Sequence, residues 1–107
     1  MPTPSKSEIL NVVLLADYQA GAIVSRQIIK AEGGNVTLFA FDEGQELSEH
    51  TAPYDALVEI LDGEVEIIIS GKSFWLHQGE LIIMPANISH AMLAKTKFKM
   101  LLTMVKA

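Results

Sequence analysis

Three histidines, His50, His77 and His90, carry most of the chemistry open to this sequence. Imidazole changes charge near neutral pH and is the commonest metal ligand, so a histidine in a cavity can serve as base, anchor or ligand. His50 and His90 lie 40 residues apart, each near the start of an expected strand, so a sheet could bring them together. His77 closes the run Phe74-Trp75-Leu76-His77 just before Gln78-Gly79 and reads as a surface histidine at a strand end. The chain has no cysteine, which removes disulfides, zinc–thiolate sites and thiol catalysis. Ser48, Ser70 and Ser89 have no His–Asp arrangement to activate them, and Gly33-Gly34 and Gly44 are spaced as turns rather than as a phosphate loop.

The elements that must position these histidines are short strands. No long stretch shows a helical period; apolar runs and turn chemistry alternate every 8–12 residues or so, as in a sandwich or barrel. The turn signals are Gly33-Gly34, Gly44, Asp62-Gly63, Ser70-Gly71, Gln78-Gly79 and Pro85-Ala86-Asn87. Strands are expected near 23–29, 35–42, 56–61, 64–70, 73–77, 80–84, 89–94 and 98–105, with residues 9–20 either a strand or a short helix. Asp62-Gly63 is expected to turn a hairpin, since both residue types tolerate positive φ. Phe98, Met100, Leu102 and Met104 share one face of the last strand; the other face, largely apolar after Lys99, suits a second sheet or subunit. So many short strands avoid long free edges by closing into a barrel or jelly roll.

The 107 residues suit one domain, residues 9–107, after a flexible lead-in at 1–8. Half the residues are apolar, a high load for so short a chain, so a homodimer that covers part of the surface is expected. Net charge is −5, and Lys95, Lys97 and Lys99 alternate as on the solvated face of a strand, which argues against nucleic acid. The apolar stretch around Val12–Ala16 is too short to span a bilayer and lacks the flanks of an export signal, so no membrane partner and a cytoplasmic location are expected. On that basis Asn35-Val36-Thr37 and Asn87-Ile88-Ser89 read as chance glycosylation triplets.

Segments 44–63 and 79–94 resemble the two motifs of the cupin family. Gly44, His50 and Gly63 match the first motif, but Ala52 stands at its second His and Ala56 at its Glu. Gly79, Pro85 and His90 match the second, with Asn87 in place of a Gly and Ala94 in place of the closing Asn. The resemblance, over roughly residues 36–105, implies an all-β, single-domain double-stranded β-helix, a jelly-roll barrel that is usually dimeric. In cupins with full motifs three His and one Glu converge on a divalent metal; here two of the four positions are alanine.

Ligand count then decides between readings. A catalytic first-row metal generally takes three protein ligands plus an open position. His50 and His90 would need water, a bound ligand or Asp55 to complete a site, with Glu49 and Gln45 in the preceding loop as further neighbours. Alternation along a strand turns Asp55 away from Ala56 unless Pro53 forces a bulge. The two alanines also enlarge the lumen and make it more apolar. Met92, in step with His90, and Met84, Met100 and Met104 read first as core, or as lumen wall if they face inward. Tyr54 and Trp75 are candidates for a rim, with a dimer contact as the equal alternative for Trp75.

The expected pocket therefore comprises His50, His90, Ala52, Ala56 and Met92. Its expected occupant is a small, largely apolar molecule. The alternatives are a metal-dependent oxygenase or isomerase, with one divalent ion on His50 and His90 completed by water, a ligand or Asp55, and an interaction module without a small ligand. One histidine acting as a general base without metal also stays open.

Overall fold

Period-two alternation of Val, Ile, Leu and Phe with polar residues, punctuated by Gly-containing turns, gives strands throughout. In the computed structural model, which describes residues 2–107, those residues form β1 (Ile23–Ala31), β2 (Gly34–Phe41), β3 (Glu46–His50), β4 (Tyr54–Asp62), β5 (Glu64–Ile69), β6 (Lys72–His77), β7 (Leu81–Met84), β8 (His90–Leu93) and β9 (Phe98–Lys106). Every expected strand forms, with ends shifted by at most two residues. Residues 9–20 contain only a short 3-10 turn, Val12–Leu14.

The strands pair antiparallel in two sheets, ordered β1-β2-β9-β4-β7 and β3-β8-β5-β6. Apolar residues from both inner faces meet in one core, with Val58, Ile67, Phe41, Phe98 and Met100 fully enclosed. Phe41 stacks on Phe98 with ring centroids 4.6 Å apart. The expected all-β barrel is thus what forms.

Three expectations need correction. Asp62-Gly63 turns no hairpin: β4 pairs with β7 and β9, whereas β5 pairs with β6 and β8, so the chain crosses between sheets there. Both ladder edges of β4 are occupied, leaving β5 none to join. Gly63 takes φ +74, and a Cβ would collide with the Lys97 carbonyl oxygen, so glycine is required on both counts. The tight two-residue hairpin lies instead at Ser70-Gly71 between β5 and β6, where both residues have positive φ.

The second correction concerns β3, which no expected strand covers and which ends, rather than starts, at His50. Its sequence, Glu-Leu-Ser-Glu-His, has one apolar residue in five, too little alternation to reveal a strand. The third concerns the lysines. Lys99 is buried, and its Nζ donates to the Val13 carbonyl; with Lys97 it flanks the Tyr18 ring at 5.0 Å. The outer face of β9 is therefore partly covered by the chain's own N-terminal segment. Ala16, Val12, Leu15 and Tyr18 pack there with Leu38, Ala40 and Leu101 in a second, smaller cluster.

Candidate functional site

Two strands from different parts of the chain bring His50 and His90 together. On β8 the register runs regularly, so His90 and Met92 share the inward face. On β3, Leu47 lies opposite Met92, and strict alternation would then turn His50 outward. A bulge between Leu47 and His50 inserts one residue and sets His50 opposite His90 instead. A one-residue shift reverses facing in a strand, so this bulge is what turns His50 into the barrel. Nothing in the local sequence announces it.

The two imidazoles meet edge to face, with ring centroids 4.3 Å apart. Each is oriented by its own backbone: His50 Nδ1 lies 2.7 Å from the Ser48 carbonyl oxygen, and His90 Nδ1 lies 3.3 Å from that of Ile88. A carbonyl oxygen only accepts, so each Nδ1 carries a proton, and in the neutral ring each Nε2 keeps a lone pair. Among the described residues neither Nε2 has a hydrogen-bond partner. His50 is exposed at the mouth, whereas His90 retains 7% exposure. Burial, then the neighbouring His50, hold the His90 pKa below its ordinary value, against the opposing pull of the Ile88 carbonyl.

The pair borders a cavity of about 380 Å³. From the four-stranded sheet it is walled by His50, His90, Leu47 and Met92; Ala52 follows β3. The five-stranded sheet contributes Ala56 on β4, Met84 on β7, Phe39 on β2, and Met100, Leu102 and Met104 on β9. All five expected pocket residues thus line the same cavity. No carboxylate or ammonium group joins them there, so the two imidazoles are the polar side chains of an otherwise apolar lining.

The other candidates lie elsewhere. Asp55 points away from Ala56, and its Oδ1 accepts from the Ala86 backbone N–H at 2.9 Å. The register shift in β4 falls between Ile60 and Asp62, far from Pro53. Tyr54 and Trp75 do not border the cavity, and Trp75 stands half exposed on β6. Glu49 and Gln45 are likewise absent from the wall. His77 is exposed, with Nε2 3.1 Å from a Glu64 oxygen and Nδ1 3.2 Å from one of Glu80. The His77 backbone N–H, foremost, holds the Glu80 carboxyl below its ordinary range.

Met84, Met100 and Met104, read from sequence first as core, also border the cavity. Phe39, Leu47 and Leu102 were not singled out as pocket residues. Leu102 was within reach of the shared face that joins Met100 to Met104, but Leu47 depends on the unread strand.

Divalent-metal coordination does not fit this donor set. The Ala52 and Ala56 side chains offer no lone pair, Asp55 is turned away, and no group of three His, Asp or Glu side chains converges among the described residues. No helix among them is long and apolar enough to cross a membrane.

A family pattern described as the cupin domain matches residues 37–106. A conserved protein of unknown function from Streptococcus pyogenes superposes with a TM-score of 0.93 at 33% identity, over 99% of this chain and 93% of that one. A cupin 2 conserved barrel domain protein from Leptotrichia buccalis matches with a TM-score of 0.88 at 43% identity, over 91% of this chain. This chain spans only 47% of that protein's length. A cupin superfamily protein from Desulfitobacterium hafniense matches at 25% identity with a TM-score of 0.87, over 98% of this chain and 95% of that one. No curated protein matches the sequence.

Proposed function

We propose, from the premise that this chain belongs to the cupin domain family, that its lumen binds a small, largely apolar molecule whose polar group is fixed by His50 and His90. One observation carries the reading: a cavity of about 380 Å³ with an apolar wall and two adjacent imidazoles, each with an unpartnered nitrogen. Binding sites of this kind are mostly apolar concavities with a few placed polar groups that orient the ligand. The methionines suit the role, because thioether side chains adapt to irregular apolar shapes.

The metal-dependent oxygenase or isomerase reading draws on the same two free Nε2 lone pairs. It needs a further donor that no described carboxylate supplies. The interaction-module reading has in its favour the exposed Leu81, Ile83 and Val105 on the five-stranded sheet, which also favour a homodimer. A cavity of this size counts against a barrel without a small ligand.

Native mass spectrometry of untagged protein tests the binding reading, with the His50→Ala/His90→Ala variant alongside. We expect the parent to carry an organic adduct that denaturation releases and that the variant carries at lower occupancy. Equal adducts in both, or none in the parent even after incubation with a panel of apolar compounds, would count against it.

A further inference from the structure

The tautomer of the two histidines restricts what their partner can be. The contacts of Nδ1 with the Ser48 and Ile88 carbonyl oxygens place the single proton of each neutral imidazole on the backbone side. What each ring offers the cavity is therefore an acceptor. Two acceptors with ring centroids 4.3 Å apart are complementary to a donor and repel another acceptor.

Charge narrows the class further. A carboxylate would bring two acceptor oxygens against two lone pairs and would lose its hydration in an apolar cavity. An ammonium group would find acceptors but no counter-charge, since no carboxylate borders the cavity. A neutral ether or ketone oxygen would leave both nitrogens unpaired. A hydroxyl satisfies one Nε2 directly, costs little to desolvate once bonded, and leaves the rest of the molecule to the methionine, leucine and phenylalanine wall.

We propose that the ligand of this site is a neutral hydroxyl compound on an apolar body, of the phenol or apolar alcohol class, which donates its O–H to Nε2 of His50 or His90, and that carboxylates are disfavoured. This rests on the reading of the lumen as a binding pocket for a small apolar molecule. The geometry adds which polar group that molecule bears.

Three matched probes separate the two levels: 2-naphthol, which has a donor; 2-methoxynaphthalene, with the same body but no donor; and 2-naphthoate, which is anionic. Each is titrated into the full chain at neutral pH, with binding read by chemical-shift changes in cavity methionine methyl groups. We expect 2-naphthol to bind roughly tenfold tighter than either of the others. That advantage should shrink to near parity in the folded His50→Ala/His90→Ala variant. The probe series in the parent stands by itself should the variant fail to fold. Equal affinity for 2-naphthol and its methyl ether would overturn the donor assignment while leaving the pocket reading in place. Tightest binding by 2-naphthoate would also overturn the assignment. Failure of all three to shift the cavity methyl groups would remove the pocket reading and the assignment together.

Discussion

Ala56 on β4 lies directly opposite Met84 on β7, and both side chains face the cavity. In the cupin motif the position of Ala56 belongs to the metal-binding Glu, so apolar wall occupies the place of a ligand. This pairing, more than any other, makes the lumen an apolar pocket. It also suggests that the ligand set is reversible. The Ala52→His/Ala56→Glu variant should gain a divalent-ion site, because the added donors raise the protein ligands from two to four. Calorimetric titration with a divalent ion should show about one ion per chain in the folded variant and much weaker binding in the parent. A folded variant that binds no better than the parent would show that the four positions do not converge.

Acid should weaken the fold through His90. Its pKa is held below the ordinary 6.5 in the native state, chiefly by burial. The unfolded chain then takes up the proton first as pH falls, so the contribution of His90 to stability is fully present above 6.5. That contribution is lost as pH drops from there towards the lower native value. The one titratable side chain facing it on the cavity wall is His50, whose protonation would oppose that of His90 further. Urea unfolding on either side of this window should show the parent losing more stability than His90→Phe; equal losses would contradict the assignment.

Gly63 should tolerate no side chain. Positive φ alone costs a non-glycine residue about 1–3 kcal/mol, and a Cβ would also collide with the Lys97 carbonyl. Gly79→Ala makes a fair comparison, since its φ is +88 but its Cβ would meet open space. Denaturant midpoints should fall further for Gly63→Ala than for Gly79→Ala, and equal falls would mean that the corner relaxes freely.

Phe98→Ala should cost roughly 3–5 kcal/mol, because it opens a cavity in the core and removes the ring stacked on Phe41. Trp75→Ala, at a half-exposed position on β6, should cost far less. Equilibrium unfolding compares the two, and a similar loss from both would contradict this placement of the core.

The contrast between β8 and β3 shows what could be read in advance. His90 and Met92 follow plain alternation, so both could be assigned to one face from sequence. His50 was identified by motif spacing, yet its inward direction depends on a bulge in a strand with one apolar residue. The Asp62-Gly63 corner failed for a different reason: Asp-Gly chemistry reports positive φ but not whether the next strand returns to the same sheet. Lys99 misled because the segment that buries it, Val12 to Tyr18, is an irregular strap with no period to detect. Asp55, in contrast, faces as alternation requires.

The most direct test of the central claim is elemental analysis of untagged protein purified without chelator, beside the His50→Ala/His90→Ala variant. An apolar pocket anchored by two imidazoles predicts far less than one divalent ion per chain in both proteins. About one ion per chain in the parent and none in the variant would contradict it and establish a metal centre on His50 and His90.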